Sequence, residues 1–243
     1  MKTRWLATIM LVVGLVVPTT GVAYAITIVV DGIKESAWNG SGGQTPGSVT
    51  DANESAIADG RDIKEFKWTN DSTNMYFLME TYADTVWSGN PYPTLVICMD
   101  TDNNPSTGGT YTNCGMTGIE RSIVCTRYGC ELYNGDPNTG TLISNPAFGK
   151  ATVYAEVGAS ISDLGLSGIC DGSSMATAIY FDGGTTDPDD NTPDSGTFPL
   201  TCGTPTAVTL QSTQARPLWP AIGLISIGLL LTGVAAWLKR RTG

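Results

Sequence analysis

The chain has 243 residues, and its middle is strongly acidic. All 23 acidic residues lie between Asp31 and Asp194, whereas only eight basic residues lie between the two hydrophobic ends, so residues 26–217 carry a formal charge of −15. This charge argues against nucleic acid or anionic lipid headgroups as partners of the middle region, and it favours solubility.

The chain contains no histidine, which excludes Ser-His-Asp and Cys-His nucleophiles, histidine acid–base catalysis and His-ligated zinc or haem. We therefore predict no catalytic residues and expect a protein that is not an enzyme.

Residues 1–25 have the composition of a secretory signal. A basic start, with Lys2 and Arg4, precedes an apolar run over residues 5–17. Ala23-Tyr24-Ala25 then forms the small-residue ending that is typical of a cleavage site. We predict cleavage after Ala25 and export of the mature chain.

The middle of the chain is rich in strand signals and poor in helical periodicity. Short apolar or alternating segments predict strands at residues 26–30, 62–69, 74–81, 94–99, 119–125, 130–134, 151–157 and 175–181. Turn residues separate the second strand from the third and the fifth from the sixth, which predicts two hairpins. The continuous apolar run at 94–99 is typical of a central strand, and residues 160–166 are typical of a single helical turn. Glycine and proline separate the segments throughout, so we predict an all-β fold with one antiparallel, jelly-roll-like β-sandwich over residues 26–203.

The loop after the strand at 94–99 carries oxygen ligands at alternate positions. Asp100, Asp102 and Asn104 have the spacing of the first half of an EF-hand loop, although the later glycine and glutamate of that loop are absent. Hard oxygen donors favour Ca²⁺, so we predict a Ca²⁺ site at Asp100, Asp102, Asn104 and Thr107. The alternative is an Asp/Asn turn, in which the side chains bond to the backbone. A second acidic loop, at residues 187–194, favours a solvated loop over a cation site.

Six cysteines in an exported chain predict disulfide bonds. Six cysteines allow 15 connectivities, which the sequence alone does not resolve. Cys125 and Cys130 flank a four-residue turn and are expected to face each other on paired strands. The predicted pairs are Cys98–Cys114, Cys125–Cys130 and Cys170–Cys202.

The C-terminal part of the chain changes character after the last acidic residue. Residues 204–217 are rich in Thr, Gln and Pro and predict a short stalk, with a candidate last strand at 207–210. Residues 218–238 contain no charge and are long enough to span a bilayer. The basic residues of the tail, 239–243, are expected to stay in the cytoplasm. We therefore predict a single-pass membrane protein whose acidic part is extracellular.

Five short motifs occur in a familiar order. They are Asp31-Gly32 with Glu35 and Trp38; Asp62-Ile63 with Trp68-Thr69-Asn70-Asp71 and Asn74-Met75-Tyr76-Phe77; Asp100-Thr101-Asp102-Asn103-Asn104 with Thr107-Gly108; Glu156 with Ile161 and Ser162–Leu166; and Asp189-Asp190 with Pro193-Asp194-Ser195-Gly196. In this order they resemble the β-sandwich superfamily that includes family 9 carbohydrate-binding modules and DOMON-like domains. The resemblance covers residues 26–198 and implies a sandwich fold.

The same resemblance bears on ligands. Haem-binding DOMON domains use an axial Met with His or Lys, and this chain has no histidine, so haem is not expected. Sugar-binding members hold their ligand between aromatic rings, which here implies Trp87, Tyr92, Tyr111 and Tyr128 as candidates, because Trp68 is expected in the core. Two functions remain open: a module that binds a glycan or another extracellular partner such as a surface protein, and a structural or adhesive surface protein in which the sandwich is a spacer.

Overall fold

The computed structural model describes residues 28–40, 45–85, 87, 93–166, 174–183 and 188–202. These residues lie within one compact unit and form 14 strands and one 3₁₀ turn, Ser36–Asn39. The strands are β1 (Gly47–Thr50), β2 (Ile63–Asn70), β3 (Asn74–Thr81), β4 (Thr94–Asp100), β5 (Gly109–Tyr111), β6 (Met116–Ile119), β7 (Arg121–Thr126), β8 (Gly129–Asn134), β9 (Thr141–Ser144), β10 (Ala147–Ala151), β11 (Tyr154–Ser160), β12 (Ser174–Asp182), β13 (Asp190–Thr192) and β14 (Phe198–Thr201).

Two antiparallel sheets form the body of the protein. A five-stranded sheet has the order β1-β2-β3-β11-β10, and a seven-stranded sheet has the order β13-β12-β4-β7-β8-β9, with β14 also paired to β12. A small ribbon pairs β5 with β6. Both predicted hairpins are present, as β2–β3 and β7–β8. The prediction of an all-β, antiparallel sandwich is confirmed.

Three groups of buried side chains hold the layers together. The main core lies between the sheets and includes Phe66, Phe77 and Ile97. A second group, around Cys98 and Met116, covers the outer face of the seven-stranded sheet under the β5–β6 ribbon. This second layer explains the continuous apolar run of β4, because a strand covered on both faces has no polar side. The prediction of a central strand there is confirmed.

A third group covers the outer face of the five-stranded sheet. Ile28, Trp38 and Leu78 are buried together there, so the segment at 28–40 packs on the sheet as irregular chain and a 3₁₀ turn. The strand predicted at 26–30 is therefore wrong for residues 28–30, while residues 26 and 27 lie outside the described residues. Ile28 and, in part, Val30 pack on the sheet face without pairing to a strand, whereas Val29 is exposed.

Two further predicted strands are interrupted. The segment predicted at 119–125 is divided at Glu120 between β6 and β7, and the segment at 151–157 is divided by a turn at Thr152 and Val153 between β10 and β11. In β2, a bulge between Ile63 and Glu65 places Ile63 and Phe66 both in the core, although strict alternation predicted opposite faces. The helical turn predicted at 160–166 is present, with the Leu164 N–H donating to the Ser160 carbonyl at 3.1 Å.

The predictions for both ends of the chain lie outside the described residues. These are the signal at 1–25, the stalk at 204–217 with its candidate strand, the membrane span at 218–238 and the tail at 239–243. Among the residues that are described, no helix has the length and apolar character needed to cross a bilayer.

Two of the predicted disulfide bonds are present. Cys98–Cys114 ties β4 to the turn between β5 and β6, and Cys125–Cys130 bridges β7 and β8 next to their hairpin turn. Cys202 is also disulfide-bonded, but its predicted partner, Cys170, lies outside the described residues. The Cys98–Cys114 bond holds the β5–β6 ribbon over the outer face of the central strand.

Removal of the Cys98–Cys114 bond is expected to destabilise the protein more than removal of the Cys125–Cys130 bond. The first bond closes 16 residues of chain and the second closes five, which corresponds to about 3 and about 2 kcal/mol in the chain-entropy model. Urea unfolding of the two double Cys→Ala variants, each in the full chain in mild detergent, measures the difference. Unfolding midpoints equal to that of the unmodified protein would contradict the prediction.

Candidate metal centres and a candidate ligand cleft

Asp100 ends the central strand β4 and begins a tightly closed loop. It is 3% exposed, and its Oδ1 accepts a hydrogen bond from the Asn104 N–H at 3.0 Å, while Asp102 Oδ1 lies 2.9 Å from the same nitrogen. Asn103 has a φ of 55°, a left-handed conformation that asparagine tolerates well. Its side-chain amide donates to the backbone oxygen of Ser174 on β12. The loop is therefore closed on itself and tied to a neighbouring strand.

Glu120 joins the two aspartates of this loop. It lies between β6 and β7, and its Oε2 accepts a hydrogen bond from the Thr101 N–H at 2.9 Å. One carboxylate oxygen from each of Asp100, Asp102 and Glu120 lies within 4.8 Å of the others. Thr107 Oγ1 is 3.0 Å from both Asp102 Oδ2 and Glu120 Oε1. Because a hydroxyl group has one proton, it can donate to only one of these carboxylates at a time.

The structure brings three of the four predicted ligands into one group of contacting side chains. Asp100, Asp102 and Thr107 come together, whereas the Asn104 side-chain oxygen accepts a hydrogen bond from the Ser106 N–H at 3.2 Å. Glu120 was not predicted, because it lies two strands later in the chain and no local spacing marks it. Burial raises the pKa of Asp100, and the adjacent Asp102 carboxylate raises this pKa further.

This loop supports both chemistries that the sequence left open. The hydrogen bonds from the Asn104 N–H are those of an Asp/Asn turn. The three converging carboxylates provide the hard oxygen donors that Ca²⁺ requires. An additional neutralising group is favoured, because three carboxylates within 4.8 Å of one another repel.

A second group of carboxylates meets where the β1–β2 region lies against β13. Glu54, Asp62 and Asp190 each place one oxygen within 4.8 Å of the others, and Asp51, Asp190 and Asp194 do the same. These five residues are called the junction cluster below. Asp62 and Asp190 are 0% and 2% exposed, respectively. The junction cluster therefore connects the edges of the two sheets through largely buried acidic groups.

Only part of the junction cluster is satisfied by hydrogen bonds. Asp190 Oδ2 accepts from the Ile63 N–H at 2.6 Å, and Asp62 Oδ2 accepts from the Glu54 N–H at 2.8 Å. In contrast, Asp62 Oδ1 and Glu54 Oε2 are buried without a hydrogen-bond partner. Burial, together with the neighbouring carboxylates, raises the pKa of Glu54 to about 7. Burial also raises the pKa of Asp190 to about 6, although the hydrogen bond from Ile63 opposes this shift.

A third acidic group, formed by Asp31, Glu35 and Glu156, has a different environment. Glu156 is fully buried on β11, and its carboxylate accepts hydrogen bonds from Trp38 Nε1 at 2.8 Å, from the Gly32 N–H at 2.8 Å and from the Asp31 N–H at 3.1 Å. These donors oppose the rise in the pKa of Glu156 that burial causes. Glu156 is thus a structural residue that holds the segment at 28–40 on the sheet.

The aromatic candidates lie in different environments. Trp87 is 8% exposed and packs against Phe148 and Phe181 at centroid distances of 5.5 and 5.8 Å. Since this packing places Trp87 in the main core, the expectation of an accessible Trp87 ring on a loop is corrected. Tyr111 is half-buried and has an edge contact with Tyr180. Tyr92 lies outside the described residues.

Tyr128 is the most exposed large hydrophobic side chain among the described residues, at 74%. It lies in the β7–β8 turn, and the Arg127 guanidinium carbon is 4.6 Å from its ring centroid. It borders a cleft of about 520 Å³ between this hairpin and the start of β10. The cleft is lined by Val124, Thr126, Tyr128, Gly129, Cys130, Glu131, Asn145, Pro146 and Phe148.

The cleft combines apolar surface with groups that form hydrogen bonds. Phe148 and Tyr128 provide rings, and Thr126, Glu131 and Asn145 provide polar side chains at its border. Binding sites for small ligands typically have this mixture, with a few polar groups that fix the ligand's orientation. The polar members were not predicted, because β8 and the start of β10 are brought together only by the packing of the two sheets.

Comparison with known proteins adds no assignment. No protein-family model matches the chain, and neither curated proteins nor solved structures provide a significant match. The resemblance to family 9 carbohydrate-binding modules and DOMON-like domains therefore stays a prediction. The chemistry of the acidic groups and of the cleft is the remaining guide to function.

Proposed function

We propose that this protein is a non-catalytic, membrane-anchored surface module that binds a glycan in the cleft beside Tyr128 and is stabilised by Ca²⁺ at the Asp100 loop. The observation that carries the glycan proposal is the cleft of about 520 Å³ bordered by an aromatic ring that is 74% exposed. A ring and nearby polar side chains are the two components with which proteins bind sugars.

The proposed location follows from the ends of the chain and from its cysteines. A secretory signal at 1–25 and a single transmembrane helix at 218–238, followed by a basic tail, would display the sandwich outside the cell. Disulfide bonds persist in oxidising compartments, so the Cys98–Cys114 and Cys125–Cys130 bonds support export.

Calcium at the Asp100 loop would have a structural role. The cation would neutralise Asp100, Asp102 and Glu120, whose oxygens converge at the end of the central strand. A bound ion would fix the loop relative to β6 and β12 and would not take part in a reaction. This proposal favours a cation-bound loop over a simple Asp/Asn turn because the cluster has more acceptors than donors.

Binding of a glycan is expected to depend on Tyr128. The full chain in mild detergent should bind a subset of glycans on an array, and Tyr128→Ala should weaken this binding at least tenfold, or about 1.4 kcal/mol, because the stacking surface is lost. Leu142→Ala is the matched control, since Leu142 is 55% exposed and does not line the cleft. Absence of binding to any glycan would instead favour the spacer function, and equal binding by Tyr128→Ala would place the ligand elsewhere.

A further inference from the structure

The junction cluster lies at a position where one ion could hold both sheets. Asp51, Glu54 and Asp62 follow or precede β1 and β2 of the five-stranded sheet, whereas Asp190 and Asp194 lie in or after β13 of the seven-stranded sheet. The two sheets also meet here through the hydrogen bond from the Ile63 N–H to Asp190. A ligand bound among these carboxylates would therefore bridge the two layers of the sandwich.

Either triad of the junction cluster, taken alone, fits a single cation. Oxygen ligands of Ca²⁺ lie about 2.3–2.6 Å from the ion, so two ligands of one ion are at most about 5 Å apart. Both triads of the cluster meet this limit, with oxygens within 4.8 Å of one another, and Asp190 belongs to both. A triad of carboxylates provides up to six oxygen atoms, and water can complete the roughly six to eight ligands that Ca²⁺ takes.

The hydrogen bonding of the cluster provides independent support for cation binding. Asp62 is completely buried, and no donor from outside the cluster reaches its Oδ1 or the buried Glu54 Oε2. The neighbouring Glu54 side chain hydrogen-bonds to Asp62, which opposes the rise in the pKa of Asp62 that burial causes. A buried carboxylate oxygen without a partner is unfavourable. At the border of the cluster, Thr192 Oγ1 donates to Asp51 Oδ2 at 2.6 Å, and the Ala52 N–H donates to Asp51 Oδ1 at 2.9 Å. These donors do not satisfy Asp62 Oδ1 or Glu54 Oε2.

Comparison with Glu156 shows that burial alone does not produce this state. The Glu156 carboxylate is equally buried but accepts three hydrogen bonds from neighbouring donors. The fold can thus satisfy a buried carboxylate with N–H groups, although Glu35 Oε2 in the same acidic group is buried without a partner. In the junction cluster, the neighbours that Asp62 and Glu54 meet include other carboxylates, with oxygens within 4.8 Å.

We propose that the junction cluster is a Ca²⁺ site, separate from the Asp100 loop, in which Asp62, Glu54 and Asp190 bind one ion that joins the two sheets, with Asp51 and Asp194 as neighbouring charges. This site does not depend on the glycan-binding function or on the Asp100 site. Its role is to stabilise the contact between β1–β2 and β13.

Terbium luminescence, excited through the protein's aromatic residues, tests the proposal in the full chain in mild detergent. The parent for the test is Asp102→Asn, in which the Asp100 loop is disabled. This parent is expected to bind one equivalent of Tb³⁺ that Ca²⁺ displaces, and adding Asp62→Asn should weaken that binding at least tenfold. Asp163→Asn is the control, because it removes the same charge outside every acidic group of the described residues.

A stability measurement separates loss of the site from loss of the fold. In the presence of chelator, Asp62→Asn should melt at the same temperature as the parent or higher, because the amide relieves repulsion among buried carboxylates. In Ca²⁺ it should lose the stabilisation that the parent gains. Asp194→Asn changes an exposed member of the cluster and provides a second variant. Because it removes a negative charge beside the ion, it should also weaken binding. It allows the test to proceed if Asp62→Asn fails to fold.

The outcomes of the titration distinguish this site from the Asp100 site. If the unmodified chain binds one ion and Asp102→Asn binds none, the junction site is overturned while the Asp100 site stands. If both chains bind two ions, the Asp100 assignment fails, and the effect of Asp62→Asn then decides the junction site. Unchanged binding in both Asp62→Asn and Asp194→Asn would overturn the proposal and would place the bound ion elsewhere.

Discussion

Replacement of Glu156 with alanine is expected to lower the free energy of unfolding by about 3–5 kcal/mol. The substitution leaves two buried donors, Trp38 Nε1 and the Gly32 N–H, and the part-buried Asp31 N–H without their acceptor. Each unsatisfied buried donor costs about 1–3 kcal/mol. The loss is smaller than the full sum, because burial already disfavours the charged form of Glu156 and raises its pKa.

Urea unfolding of the full chain in mild detergent, followed by circular dichroism, measures this effect. Glu156→Gln should have an intermediate loss, since the amide retains one oxygen acceptor but directs an N–H₂ group toward N–H donors. Glu131→Ala, which changes an exposed glutamate on β8, should change stability by less than about 0.5 kcal/mol. A loss below about 1 kcal/mol for Glu156→Ala would show that the segment at 28–40 is held by its apolar contacts alone.

Calcium is expected to raise the melting temperature, and chelator is expected to lower it. An ion that binds only the folded form stabilises it by about 2.7 kcal/mol at one hundred times its Kd, which corresponds to about 5–10 °C per site for a domain of this size. Asp102→Asn should remove the part of the Ca²⁺-dependent stabilisation that comes from the Asp100 loop, because Asp102 is one of the three converging carboxylates of this site. Asp102 is exposed, so this variant is expected to retain the fold.

Melting curves of the full chain in millimolar Ca²⁺ and in chelator test this prediction. Combining Asp102→Asn with Asp62→Asn should abolish the Ca²⁺ dependence, whereas Asp163→Asn should leave it intact. Mg²⁺ should stabilise less, since it requires stricter octahedral geometry and loses its water less readily. A curve that does not move with chelator would mean that the Asp100 loop is an ordinary Asp/Asn turn and that no Ca²⁺ is bound in the fold.

The sequence predicted the longer strands and missed the short ones for a physical reason. The β2–β3 and β7–β8 hairpins carry their own apolar patterns and turn residues, so local information suffices. β1, β5, β9, β13 and β14 are three or four residues long and are held by pairing with other strands of their sheets. The bulge at Ile63 likewise depends on pairing with β3, and no alternation rule contains it.

The candidate sites also divide into residues that local sequence reveals and residues that only strand pairing brings together. The loop beginning at Asp100 was visible in the sequence because its aspartates are neighbours, whereas Glu120 comes to them only through the β5–β6 ribbon. Asp190 reaches the junction cluster from far away in the chain, since its hydrogen-bonded partner Ile63 is 127 residues distant. No spacing rule connects such positions.

By itself, the sequence determined the all-β class, two hairpins and the acidic character of the loops, because each is encoded by residues close together in the chain. The tertiary structure decided which acids meet and which ring is exposed. Carboxylates of the junction cluster come from both sheets, and Trp87 is buried while Tyr128 is exposed. These features depend on how two sheets pack face to face, and packing brings together residues whose separation in the sequence carries no signal.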